Sequence, residues 1–182
     1  DEVAGLGVGR TFQNVALFRS LTVFENILLG RHCRGRGGFL ANALRLPRVK
    51  RDEEESRAQG RELLEFLELQ AVADQPVAAL PFGTRKRVEL GRALASRPRL
   101  LLLDEPASGL NHGEMGALGS LIRAIRDRIG VTVLLVEHHM NLLMSVSDHV
   151  VALDFGRKIA DGSPDEVRNH PEVVRAYLGT AA

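Results

Sequence analysis

The chain has 182 residues, 45% hydrophobic and 26% charged, a mix that buries one aliphatic core and excludes both a disordered tail and a large multidomain machine. Its 24 Lys and Arg against 23 Asp and Glu leave a formal charge of +1, so any attraction to nucleic acid or anionic lipid is confined to a local patch. The single Cys33 excludes an intramolecular disulfide framework and a multi-cysteine zinc site, and no apolar run approaches the ~20 residues of a membrane-spanning helix.

In chain order, Val8, Arg10 and Phe12 alternate at period two and predict a short strand ending near Gln13. Thr22-Val23-Phe24-Glu25 fits a capping box, with Val23, Phe24, Ile27 and Leu28 forming the apolar face of the helix behind it. From Arg31 to Arg51 there are seven basic residues and no acid, with a short helix candidate at Phe39 to Leu46; the tract reads as a solvated loop, with contact to loops of a partner subunit or to anionic headgroups as the second reading. The acids at 52–55 suit the N-terminal end of a helix over 53–69.

A second basic helix is predicted from Thr84 to Ser96, stopped by Pro98. Leu100 to Leu103, four apolar residues without alternation, read as a strand buried on both faces that ends in Asp104-Glu105-Pro106. Met115, Leu118, Ile122, Ile125 and Ile129 then mark an amphipathic helix ended by Gly130, and Val131 to Val136 repeats the buried-strand pattern. Strand, helix and strand in this order predict a parallel crossover in an open α/β sheet. The remainder reads as a helix (Met140 to Val146), a strand (His149 to Asp154), a turn at 155–157, a short strand (Lys158 to Ala160), a capped helix after Ser163-Pro164 and a closing helix from Pro171 to Leu178.

Asp104 and Glu105 are the most specific chemical feature, because an apolar strand delivers them to its carboxyl end, where open α/β sheets bind ligands. In nucleotide hydrolases an acid there holds Mg²⁺ beside the phosphates, and a second acid orients or deprotonates water. About twenty residues upstream, Leu80-Pro81-Phe82-Gly83-Thr84 leads into the basic helix, where Gly83 lets backbone N–H groups approach a phosphate. Ser108-Gly109-Leu110-Asn111 forms a polar turn beside the acids, and Glu137-His138 stands at the end of the next strand. His138 and His139, as neighbours at a strand end, are expected to point in opposite directions and so to form no metal pair.

The order and spacing of these segments resemble the ATP-binding subunits of ABC transporters, from about Gly5 to Leu178. Gln13 looks like the Q-loop glutamine, residues 80–84 like the signature motif, Leu100 to Asp104 like Walker B with Glu105 following, Ser108 to Asn111 like the D-loop, and His138 like the switch histidine. Arg10-Thr11-Phe12-Gln13-Asn14, the run Glu25 to His32, Asp104 to Asn111 and the ending from Phe155 to Gly179 look like the branched-chain amino-acid importer subgroup, with lipopolysaccharide exporter subunits as close relatives.

The resemblance implies a P-loop NTPase-like α/β fold with a mostly parallel sheet, an inserted helical and signature region at about 18–95, and the C-terminal part of the catalytic core at 98–182. It implies ATP and Mg²⁺ as cofactors: Asp104 and Gln13 toward the metal, Glu105, His138 and Gln13 in catalysis, and Phe82, Gly83, Thr84, Ser108 and Asn111 in nucleotide contacts across a dimer. The implied partners are a second ATPase subunit, integral permease subunits and, indirectly, an extracytoplasmic solute-binding protein. Nucleic acid is not among them, and the implied place is the cytoplasmic face of the membrane. An ABC-type ATPase acting on nucleic acid or the ribosome, or a non-hydrolysing interaction module, are the alternatives.

Two departures qualify the resemblance. Pro81 and Thr84 stand where the commonest signature has Ser and Gln, which removes a hydroxyl near the partner-bound γ-phosphate and leaves Gly83 and the helix N-terminus. No G-x-x-x-x-G-K-[ST] occurs in the 182 residues, so the chain is expected to be the C-terminal majority of a longer ATPase subunit and inactive alone.

Overall fold

The computed structural model describes residues 6–11, 17–31 and 47–178. Strands β1 (Val8–Arg10), β2 (Leu100–Asp104) and β3 (Thr132–Val136) form a parallel sheet with β2 in the middle. Arg10 lies opposite Leu102, and Asp104 opposite Val136. The expected crossover is present: β2 and β3 are joined through α4 (His112–Ala124), whose last turn widens over Ile125–Ile129 and ends where Gly130 takes φ +76. Only glycine takes that left-handed conformation freely, so the helix stops there.

The two buried-strand readings need correction. Leu101 and Leu103 are 0% and 1% exposed, but Leu100 and Leu102 on the other face are half-buried, and on β3 Leu134 and Val136 are 56% and 57% exposed. The physical reason is one-sided cover. Leu101 and Leu103 pack with Leu94 of α3 (Phe82–Ala95), Leu118 and Ile122 of α4, and Leu142 of α5 (Met140–Val146), whereas among the described residues no such cluster covers the opposite face.

A second core joins α1 (Val23–Leu29), α2 (Pro47–Phe66) and the other side of α3, through Val23, Ile27, Leu64, Leu67 and Val88. The capping box that starts α1 is formed: Thr22 accepts from the Glu25 N–H, and the Glu25 carboxylate accepts from the Thr22 N–H. Helix α2 begins at Pro47, six residues before the expected start, so the acids at 52–55 stand in its second and third turns. Proline is well suited to the first helical position, where its missing N–H leaves no bond unmade. Helix α3 starts at Phe82 rather than Thr84 and ends at Ala95.

The remaining elements follow the sequence closely. β4 (Val150–Asp154) and β5 (Arg157–Gly162) form an antiparallel hairpin, separate from the parallel sheet. Phe155 and Gly156 between them both take positive φ, +44 and +78, as a two-residue hairpin turn of this twist requires. α6 (Pro164–Arg168) starts on a capping box between Ser163 and Glu166, and α7 (Pro171–Val173) continues as a wider turn to Leu178. The strand end expected at Phe12 and Gln13, and the helix candidate at 39–46, lie outside the described residues.

Candidate functional site

The parallel sheet brings the carboxyl ends of β2 and β3 side by side, and the residues just beyond them make the site. Asp104 ends β2 opposite Val136, and the next residue continues the ladder, with the Glu105 N–H donating to the Val136 carbonyl at 2.9 Å. Glu105 then turns the chain with φ +44, an unusual conformation for a side-chain-bearing residue. Its carboxylate Oε1 lies 3.8 Å from Nδ1 of His138, which follows β3. Asp104, Glu105 and His138 are thus gathered at one end of the sheet, as their positions in the sequence predict.

Asp104 is 39% exposed on its side chain and meets the Arg10 guanidinium of β1 at 3.4 Å. A hard, accessible carboxylate with a second one adjacent in sequence is the donor set that Mg²⁺ takes when phosphate oxygens complete its shell, so these residues fit the metal that nucleotide hydrolysis needs. Arg10 supplies positive charge to the same carboxylate. No reading of the sequence gave Arg10 a role; its register opposite β2 becomes visible only once the strands pair.

Beyond Glu105 the loop closes on itself, with Ser108 N–H donating to the Glu105 carbonyl and Leu110 N–H to that of Ala107, both at 3.1 Å. Asn111 is the N-cap of α4: its side-chain oxygen accepts from the Glu114 N–H, and Glu114 accepts from the Asn111 N–H, both at 2.9 Å. The Asn111 oxygen is therefore engaged in its own helix, and its amide nitrogen is what it can offer elsewhere.

The stretch around Gly83 meets this loop at its far end. The Phe82 ring lies over Gly109, where an added Cβ would stand 3.0 Å from it, and Gly83 faces Glu114, whose carboxylate would be 2.5 Å from a Cβ at that position. A side chain at position 83 would therefore have to push the Glu114 carboxylate aside. Helix α3 has Pro81 as N-cap and no side-chain cap bond, so the first N–H groups of this fourteen-residue helix have no side-chain acceptor, the condition in which a helix N-terminus can take an anion. Gly83, Thr84, Lys86 and Glu114 line a cavity of about 340 Å³ there. A larger cavity of about 540 Å³, lined by Phe66, Leu94, Arg97 and Arg128 among others, contains none of the predicted site residues. Gln13 lies outside the described residues.

The residue that sequence reasoning underused is Glu137. Its side chain is 0% exposed. One oxygen accepts from the Ala107 N–H at 2.8 Å, and the other accepts from the N–H groups of His138 and His139 at 3.1 and 3.2 Å and lies 2.9 Å from His139 Nδ1. Burial pushes this carboxyl up, but the His139 ring bond, the backbone bonds and the charge of His139 outweigh that and hold it below its ordinary value. The signal was available, since Glu137 ends an apolar run as Asp104-Glu105 does.

The expectation that His138 and His139 point apart is overturned. Their ring centroids are 4.3 Å apart, because both residues lie beyond the end of β3, in the bend that starts α5. With Glu137 they place three ligand-type atoms within 4.8 Å, yet the Glu137 oxygens already face three backbone N–H groups and one ring nitrogen.

Comparison with known proteins points the same way. Residues 2–108 match the family described as ABC transporter, and residues 157–182 match the branched-chain amino acid ATP-binding cassette transporter family. A relative from Pseudomonas aeruginosa, the high-affinity branched-chain amino acid transport ATP-binding protein BraF, is 43% identical over 180 residues, covering 99% of this chain and 71% of its own. The ADP conformation of MJ1267, an ATP-binding cassette of an ABC transporter, superposes with a TM-score of 0.78 at 30% identity, covering 98% of this chain and 70% of that one. The dimeric post-hydrolysis structure of the ATP-binding cassette MJ0796, bound to ADP and phosphate, gives 0.68 at 26% identity, covering 86% and 62%.

Proposed function

This chain belongs to the family of ABC transporter ATP-binding subunits, and from that premise we propose that it drives import of branched-chain amino acids by hydrolysing ATP in a dimer bound to membrane permease subunits. The observation that carries the hydrolytic reading is the convergence of Asp104, Glu105 and His138 at the carboxyl ends of β2 and β3, with Glu105 and His138 3.8 Å apart. The branched-chain substrate is supported by the P. aeruginosa relative and by the match over residues 157–182, which favours transport over an ATPase working on nucleic acid.

Each residue has a task in this reading. Asp104 would hold Mg²⁺, which when bound neutralises charge developing on the phosphates. Glu105 accepts a proton from, or polarises, the attacking water. His138, exposed at the sheet end, donates to the γ-phosphate, and Gln13 senses the metal and water. The N–H groups of Gly83 and Thr84 at the uncapped start of α3, with Phe82 stacked beside them, contact a nucleotide held by the second subunit; Ser108 and Asn111 meet that subunit across the seam. Residues 18–95 form the helical region that receives the permease, and 98–182 belong to the catalytic core. No described helix is long and apolar enough to cross a membrane, and the proposed place is peripheral, on the cytoplasmic face, with a solute-binding protein acting from the other side.

The test is uptake of radiolabelled leucine into vesicles carrying the assembled transporter with ATP sealed inside or withheld. ATP-dependent uptake displaced by excess isoleucine or valine and not by lysine is the expected result. ATP turnover stimulated by none of these amino acids, with their binding protein present, would contradict the substrate reading.

A further inference from the structure

Glu105 and His138 sit on different loops, so some element must fix one against the other. The main chain contributes a single rung, from the Glu105 N–H to the Val136 carbonyl. Two residues later the ladder is replaced by a side chain: the buried Glu137 carboxylate takes the Ala107 N–H on one oxygen and, on the other, the N–H groups of His138 and His139 together with His139 Nδ1. Ala107 itself is 1% exposed and belongs to the main core, so one end of the clamp is anchored in packed structure.

We infer that Glu137 is a positioning residue for ATP hydrolysis, its carboxylate tying the loop that carries Glu105 to the turn that carries His138. The inference rests on the roles proposed above for those two residues. It needs both oxygens as acceptors, which a carboxylate provides and a carboxamide does not. Three of its four contacts are backbone N–H groups, which its ionised form satisfies, and the fourth is satisfied when His139 carries its proton on Nδ1. Glutamine has nearly the same shape but would present its NH₂ to one side of the clamp, setting donor against donor at Ala107 or at the turn. An unmatched buried donor is costly, and the loop relieves it by moving.

The experiment compares Glu137→Gln, Glu105→Gln and the unaltered subunit in the assembled transporter, measuring kcat, KM for ATP and melting temperature. For Glu137→Gln the expected result is a kcat lowered about 10- to 100-fold with KM changed less than about threefold, as a displacement near 1 Å at reacting groups produces. Wild-type kcat in Glu137→Gln alongside a dead Glu105→Gln overturns the inference; wild-type kcat in Glu105→Gln overturns the functional reading on which it rests. Should Glu137→Gln fail to fold, His139 decides. His139→Ala removes one donor to the clamp and is expected to lower kcat a few-fold, while His139→Asn, which sets an amide nitrogen close to the place of Nδ1, restores it. Equal, wild-type kcat in both His139 variants overturns the inference.

Discussion

Glu105 holds φ +44, a left-handed conformation that costs a side-chain-bearing residue about 1–2 kcal/mol. The bond from its N–H to Val136 and the turn closed by Ser108 hold it there, and such strain kept at a sheet end accords with a working residue. His138 is different: its side chain is 59% exposed and joins none of the three apolar cores. His138→Ala is therefore expected to lower ATP turnover of the assembled transporter at least about tenfold, the scale of a lost charge-stabilising contact, while thermal melting stays unchanged. A collapsed melting temperature with normal turnover in the protein that remains folded would make His138 structural. Asn26 shows the opposite case. It falls within a phrase read as subgroup identity, yet it is 0% exposed and its amide bonds the Phe18 N–H and the carbonyls of Phe18, Leu21 and Thr22, so it holds the chain entering α1.

At the scale of elements, α1 and α3 cross with almost no space between them. A Cβ on Gly30 would stand 1.9 Å from the Arg92 carbonyl oxygen, an overlap with backbone that no side-chain rotation relieves. Gly30→Ala is expected to separate the helices and lower stability by about 1–3 kcal/mol, as overpacking does, read as a lower midpoint in urea with helical dichroism retained. An unchanged midpoint would mean that the crossing is looser than the structure has it. This contact also marks the limit of what the sequence makes legible. The capping boxes at Thr22 and Ser163, the glycine stop at 130 and the crossover from β2 to β3 are local patterns, and they could be read directly. The box between Asn111 and Glu114 is equally local, but in the sequence it overlaps the polar turn Ser108–Asn111, whose residue types fit a turn as well as a cap. The crossing at Gly30, the pairing of Arg10 with Asp104 and the clamp at Glu137 join residues far apart in sequence, and no periodicity encodes them. The two-sided burial read into Leu100–Leu103 failed for a related reason: a run of leucines records which residue types are present, not how many faces are covered.

For the whole molecule, the parallel sheet presents an apolar face to solvent, with Leu134 and Val136 at 56% and 57% exposure, and the hairpin adds Val151 and Leu153 at 50% and 53%. Faces of this kind bind partners or aggregate. The 182-residue chain alone is expected to enhance the fluorescence of a hydrophobic dye, and Leu134→Thr with Val136→Thr to reduce that signal without lowering the melting temperature. The same isolated chain is expected to bind Mg-ATP only weakly, because the loop that supplies most phosphate contacts in P-loop enzymes is not among its residues, while Asp104 and Glu105 bring negative charge. Micromolar affinity in calorimetric titration of soluble, monodisperse chain would contradict this. Stability and the proposed activity thus make separate demands on the one sheet: its covered face holds the core, and its carboxyl end holds the residues proposed for the chemistry.

In the proposed function Glu105 activates water for ATP hydrolysis at that end of the sheet. Its most direct test is the fate of radiolabelled ATP on the assembled transporter carrying Glu105→Gln, which keeps side-chain size and removes the proton acceptor. Phosphate release is expected to fall at least about 100-fold, the scale set by loss of a general base, while uncleaved ATP remains bound through washing. Phosphate release at the unaltered rate would contradict it.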